Sequence, residues 1–344
     1  MDLYSLRKEY GNSLCQVGAV NDKIIVLDSE VSNSTGSEIF KNMYPSRFIE
    51  TFIAEQNMVG VAIGLGRSGF LPFVSTFGAF FSRAFDQIRM AGLSNVSIIF
   101  TGTHCGISIG PDGGSQMALQ DIGMFNLIPN AQIFYPSSAI STGKIMEILG
   151  GTDQVGEGCK LNYLRITRNE LPEIYNSSSQ FKIGGSSLIY KSGISNPEKK
   201  HEQEKEEKTQ NIVLIGAGIT IHEIIKTIPA LEKLEAKNKN IKFKIIDLYC
   251  LKPIDLGLLL ENMGCNPVGK SFLNTKIIIV EDHYFEGGIN NIISSLFSRS
   301  RIIFGEIFSL SVNKVPQSGT TEELLQFAGI DSPSILELTK KLIS

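Results

Sequence analysis

The stretch SIIFTGTHCGISIGPDGGSQ, residues 97–116, holds the clearest structural signal in the chain. Its first five residues read as an apolar strand. A loop follows in which five glycines surround His104, Asp112 and Gln116. Open α/β sheets carry their ligand-binding loops at the carboxyl ends of parallel strands. A glycine-rich loop there, with one imidazole, one carboxylate and one amide, suits a hydroxylated ligand. A solvated turn is the plainer alternative.

Outward from that stretch, strand and helix signals alternate. Toward the N-terminus, residues 22–27 (DKIIVL) read as a strand, 55–63 as a helix, 70–75 as extended chain and 80–90 as a helix. Toward the C-terminus come a helix at 118–125, a strand at 132–135, a helix at 142–149 and a strand at 161–166. The theme repeats with 212–215, 221–233, 242–247, 277–280 and 289–297. Such alternation predicts parallel sheets covered by helices. At 344 residues the expectation is two tandem α/β domains, residues 1–172 and 182–344, joined through a polar segment. Residues 196–208, NPEKKHEQEKEEK, carry five Glu and four Lys and no core-forming residue. They read as a charged surface insertion between two strands, 186–190 and 211–216, that could pair as a hairpin.

Hydrophobic residues make up 42% and charged residues 19% of the chain, a globular balance. A net charge of −3 argues against nucleic acid or a polybasic membrane surface, since little would neutralise phosphates. No stretch approaches the length of a membrane span, and the N-terminal residues lack an apolar signal core. The cysteines, Cys15, Cys105, Cys159, Cys250 and Cys265, are scattered and form no CxxC pair. They read as reduced thiols, which points to the cytoplasm. With four histidines and no HExxH pattern, a metal held by this chain alone is not expected.

Two glycine motifs are set aside. Gly64-Leu65-Gly66-Arg67-Ser68-Gly69 matches GxGxxG, but a helix enters it and a strand leaves, the reverse of a dinucleotide fold. Gly216-Ala217-Gly218 follows a strand yet lacks the third glycine, and reads as a tight turn. Glu55, entering an apolar helix after Phe52-Ile53-Ala54, is either a partly buried proton-sharing carboxylate or a helix N-terminal acid; the residues alone leave both open. Phe77, Phe81 and Phe85 recur every four residues and read as core, whereas Phe80 lies off that face and could stack on a flat heterocycle. Arg7, Arg165 and Arg168 are candidate anion contacts, although a lone arginine is usually a surface charge.

Long motifs (RFIETFIAEQNM, STFGAFFSRAFDQIRM, GTHCGISIGPDGGSQMALQDIGMF, IGAGITIHE and VEDHYFEGGI) closely resemble transketolase of the animal type. The likeness runs from Leu6-Arg7-Lys8 to Val315-Pro316-Gln317-Ser318-Gly319 and spans only that family's pyrimidine-binding and C-terminal domains. The Gly-Asp-Gly signature of its N-terminal, pyrophosphate-binding domain has no counterpart here.

The resemblance implies thiamine diphosphate as cofactor, with Mg2+ or Ca2+ held on an N-terminal partner, and transfer of a two-carbon ketol unit between sugar phosphates of the pentose phosphate pathway. It implies that Glu55 bonds the pyrimidine N1′, Phe80 stacks on the ring, and Gln116 neighbours cofactor or donor. His104 and Asp112 would contact donor hydroxyls, and Arg7, Ser34 and Arg168 the sugar phosphate. Two departures stand out: Glu30 where the family has aspartate, and Pro111 where it has glutamate. The expected partner is an N-terminal transketolase subunit, in a dimer or heterotetramer, or a full-length transketolase; alone, the chain is expected to be inactive. Alternatives are a non-catalytic paralogue that modulates a full-length enzyme, and the β subunit of a 2-oxo acid dehydrogenase.

Overall fold

The computed structural model describes residues 2–151, 160–192, 209–266, 268–269 and 271–343. In chain order its strands are β1 (Leu3–Ser5), β2 (Ile24–Asp28), β3 (Phe48–Glu50), β4 (Leu71–Phe77), β5 (Ile98–Thr103), β6 (Ala131–Phe134) and β7 (Leu161–Arg165). Then follow β8 (Glu170–Pro172), β9 (Ser187–Lys191), β10 (Gln210–Gly216), β11 (Ile241–Asp247), β12 (Cys250–Lys252), β13 (Ser271–Tyr284) and β14 (Ile303–Val312).

They build a seven-stranded sheet ordered β12-β6-β7-β5-β4-β2-β3, a five-stranded sheet ordered β14-β13-β10-β11-β9, and the pair β1-β8. Both large sheets are parallel except for their antiparallel edge strands, β12 on β6 and β9 on β11. The fold is therefore mainly parallel α/β, as expected. Strand β5 shows why: Ile98, Ile99 and Phe100 are all fully buried, because helices cover both faces of a parallel sheet.

Several local expectations are corrected. Strand β9 does not form a hairpin with β10: both edges of β10 are taken, by β11 and β13, so β9 pairs with β11 at the sheet edge. The helix expected at 221–233 is two, Ile219–Ile225 and Ile228–Lys237, with Pro229 in the first turn of the second. Proline is at home there but cannot continue a helix. The helix expected from residue 118 starts only at Asp121, since Ala118 is bridged to Cys105 in the loop after β5. Phe77 does not share a helical face with Phe81; it ends β4, and Gly78–Ala84 is a 3-10 turn. The charged run at 196–208 lies outside the described residues.

The two sheets face each other through the carboxyl ends of their strands. Gly218 N–H donates to Ser137 Oγ at 2.8 Å, and that hydroxyl donates to Asp247 at 2.8 Å. Strand β12 crosses over to extend the first sheet, and the Lys252 ammonium bonds the carbonyls of Asn126 and Ile128 at 2.8 and 2.7 Å. No described helix is long and apolar enough to cross a membrane.

Candidate functional site

Three rings stack at the carboxyl ends of β4 and β5. Phe80 lies on Phe77 with centroids 5.1 Å apart and planes 18° apart, and Phe77 lies on His104 at 3.8 Å and 20°. The 3-10 turn produces this ladder: it sends Phe81 into the core and leaves Phe77 and Phe80 half-buried at the strand ends. Phe80 is thus off the core face, as its spacing indicated.

Glu55 is the first residue of the helix Glu55–Arg67, directly after the exposed Phe52 and Ile53. Its side chain is 4% exposed, and Oε1 accepts a hydrogen bond from Arg83 Nη1 at 2.6 Å. The burial read from sequence is present. The Arg83 partner is not legible there, because the 3-10 turn alone brings it back over Glu55. The Arg83 guanidinium also sits 4.2 Å above the Phe80 ring, so one side chain joins carboxylate and aromatic face. The same helix shows what the GxGxxG match is: Gly64 and Gly66 lie in its last turns, before β4.

A cationic group adjoins the ladder. His104 is buried with a left-handed backbone, φ 56°, and its Nδ1 is 3.0 Å from Thr103 Oγ1. Burial, then Arg7 and Arg168, push its pKa down to about 3, so it is neutral at physiological pH. Arg7 donates to Ser34 O at 2.8 Å, while its Nε is buried with no hydrogen-bond partner. Burial and then Arg168 lower the Arg7 pKa. Arg168 donates to Ile109 O at 2.6 Å and pairs with Asp112 at 3.4 Å. Two guanidiniums that repel each other, one with an unused buried donor, are suited to an anion with several acceptor oxygens. Ser34 is placed by Asp28, which accepts bonds from Val31 N, Thr35 Oγ1 and Ser37 Oγ at 2.8, 2.8 and 2.9 Å around that short helix.

The glycine-rich loop is held from both halves of the chain. Gly106 has φ 86°, and a Cβ there would meet Asp282 Oδ2 at 1.8 Å. Thr321 donates to Ser108 O at 3.0 Å and accepts from Asn169 at 2.8 Å. Gln116, half-buried, bonds through its backbone to Gly113 O at 3.1 Å. A cleft of about 510 Å³ opens beside the loop, with Ala79, Ser82, Ser115 and Gln120 on its wall.

The structure sets Arg7, Ser34, His104, Asp112 and Arg168 in one place and Glu55 and Phe80 beside it, joined by Phe77, where sequence reasoning named them singly. That reasoning misjudged Arg165. That residue is fully buried, bonded to Asp121 at 2.8 Å and Asp282 at 3.0 Å, and cannot reach an external anion. Glu30 is exposed, with φ 64°, its N–H bonded to Glu50 at 2.9 Å. Pro111 is exposed as well.

Residues 3–155 match the model of the transketolase pyrimidine binding domain, and residues 201–335 that of the transketolase C-terminal domain. Human transketolase is 40% identical across this whole chain, which covers 50% of that protein. Bovine transketolase-like protein 1 is 39% identical over 99% of this chain and 52% of its own length. The chain spans about half the length of the curated relatives it matches. Among solved structures, a chain described as split gene transketolase, inactive beta4 tetramer, superposes with TM-score 0.77 at 27% identity, covering 98% of each chain. Transketolase from Campylobacter jejuni superposes with TM-score 0.75 at 16% identity, over 99% of this chain and 47% of that one, a likeness of fold.

Proposed function

This chain belongs to the transketolase family, as its pyrimidine-binding and C-terminal portion, and from that premise we propose that it is one subunit of a split transketolase. Its reaction would be transfer of a two-carbon ketol unit from a ketose phosphate to an aldose phosphate, with an N-terminal pyrophosphate-binding subunit in trans. What carries the reading is the likeness, TM-score 0.77 at 27% identity, to a solved chain described as split gene transketolase, inactive beta4 tetramer. That tetramer's inactivity supports inactivity of this chain alone. The transketolase names of the relatives favour ketol transfer over the 2-oxo acid dehydrogenase alternative.

The ring end of thiamine diphosphate fits the residues present. Glu55 offers a carboxylate buried to 4% exposure, bonded through Oε1 to Arg83, and Phe80 offers a ring face that a flat heterocycle takes once Arg83 swings off it. When bound, the cofactor supplies the carbanion chemistry that breaks and makes the carbon–carbon bond. Glu55 holds a proton against the pyrimidine N1′, Phe80 orients the ring, and Gln116 stands as a polar neighbour. His104, neutral, holds donor hydroxyls together with Asp112, and Arg7, Ser34 and Arg168 hold the sugar phosphate. The diphosphate and its Mg2+ or Ca2+ are assigned to the N-terminal subunit. Among the described residues no group of three His, Cys, Asp or Glu is placed to hold a metal ion.

Phe52 and Ile53, 64% and 78% exposed beside Glu55, supply an apolar patch for that partner to cover. We assign domains to 1–172 and 182–344, since β8 is tied back to β1 at the start of the first. The buried thiols of Cys15, Cys105, Cys250 and Cys265 suit a cytoplasmic, reducing setting. The test is reconstitution: mixing with an N-terminal transketolase domain should produce ketol transfer. Glu55→Gln should then lower turnover by about 10²–10⁴ with folding intact, the usual worth of a proton-transferring group. A mixture that forms a complex but stays inert would favour the modulator, and near-normal turnover of the variant would remove Glu55 from its role.

A further inference from the structure

The second sheet spends the carboxyl ends of β10, β11 and β13 on contact with the first sheet. Its other end lies away from that contact. There, the amino ends of the same strands and the end of β9 line a cavity of about 810 Å³, within the size range of small-molecule sites.

The antiparallel register sets Lys191 of β9 directly opposite Lys244 of β11, and both line this cavity. Like charges opposed across a ladder repel. Lys191 is exposed, whereas Lys244 is only 8% exposed. One of its protons is satisfied, by Met263 O at 2.9 Å. Lys242, also on the wall, is paired with Glu235 at 2.8 Å, whereas no such ion pair to Lys191 or Lys244 occurs among the described residues. Burial lowers the Lys244 pKa, the neighbouring Cys265 thiol raises it, and Lys191 lowers it again. Gly264 keeps the space for this amine: with φ 71°, a Cβ there would meet Lys244 Nζ at 2.0 Å. The rest of the wall is mixed, with Asn211 and Asn266 beside Phe272 and an exposed Leu273.

We propose that this cavity binds a small phosphorylated molecule, its phosphate between Lys191 and Lys244 and its organic part against Phe272 and Leu273. Two ammoniums facing one space, with no ion pair among the described residues, match a dianion, which a carboxylate would neutralise only by half. The site lies at the opposite end of the second sheet from the sheet–sheet contact, so it does not depend on the split-enzyme reading.

The test is calorimetric titration of the chain with AMP, with adenosine as the phosphate-free control. AMP should bind saturably, with a dissociation constant below about 1 mM, and adenosine should not. Lys191→Ala, an exposed position that leaves the fold alone, should weaken AMP about tenfold, the worth of a charged hydrogen bond. Arg168→Ala should leave that binding unchanged. Because Lys244→Met could unfold the chain, Lys244 is followed instead by reductive methylation and mass spectrometry, where AMP should protect it. Absence of saturable binding up to about 10 mM would overturn the proposal. So would binding that survives Lys191→Ala and disappears in Arg168→Ala, which would put the phosphate on the first-sheet arginines.

Discussion

Arg83 holds Glu55 with its guanidinium and covers Phe80 with the same group. Removing it leaves a carboxylate of 4% exposure without its donor. Arg83→Ala should therefore destabilise the isolated chain by about 1–3 kcal/mol, the cost of an unsatisfied buried polar group, read as a lower denaturation midpoint. An unchanged midpoint would mean that water replaces the guanidinium fully. At this scale the motifs marked Glu55, Phe80, Arg7 and Arg168 one by one, and only the fold gathers them. The motifs gave no sign of Arg83, because its contact depends on a 3-10 turn that apolar periodicity reads as helix. Arg165 was misread for a related reason: its two carboxylate partners, Asp121 and Asp282, come from distant segments that only the packed sheets bring together.

At the scale of elements, strands buried on both faces are legible as continuous apolar runs, which is why β5 and its parallel neighbours could be read directly. Pairing partners are not, since no local signal says that β9 joins β11 or that β12 leaves for the other sheet. The glycine motifs separate the two kinds of turn. Gly218, φ 57°, closes β10 against the first sheet, and a Cβ there would meet Tyr135 Cζ at 2.0 Å. Gly64 lies in a helix with nothing within 4 Å of its would-be Cβ. Gly218→Ala should cost more than about 1 kcal/mol, through strain and collision, while Gly64→Ala should gain about 0.5–1 kcal/mol from helix propensity. Equal effects in thermal unfolding would contradict the distinct roles assigned to them.

For the whole molecule, buried ionisable groups set the pH response. Burial raises Asp28 and Asp247 to about 7 and Glu281 to about 8. In the unfolded chain such carboxyls ionise near about 4. As pH falls from about 8 to about 6.5, the folded state takes up protons that the unfolded state does not, so stability rises. Below about 6.5 unfolded histidines become charged, whereas burial keeps folded His104 at about 3 and His283 at about 4. Two histidines charging in the unfolded chain slow this gain without reversing it, because three buried carboxyls have taken up protons in the folded one. The melting temperature should therefore be higher near pH 6 than at pH 8; a steady rise from pH 6 through pH 8 would contradict these burials.

We propose that this chain supplies the ring end of a thiamine diphosphate site. Glu55, Phe80 and Gln116 would address the flat ring, while the diphosphate carries most of the charge and would gain little from a chain of net charge −3 without a metal clamp. Titrating thiamine diphosphate into the chain by calorimetry, with and without an N-terminal transketolase domain in trans, tests this most directly. The lone chain should bind weakly, unaffected by Mg2+ or Ca2+, and binding should become tight and metal-dependent once the partner domain is added. Tight, metal-dependent binding by the lone chain would contradict it.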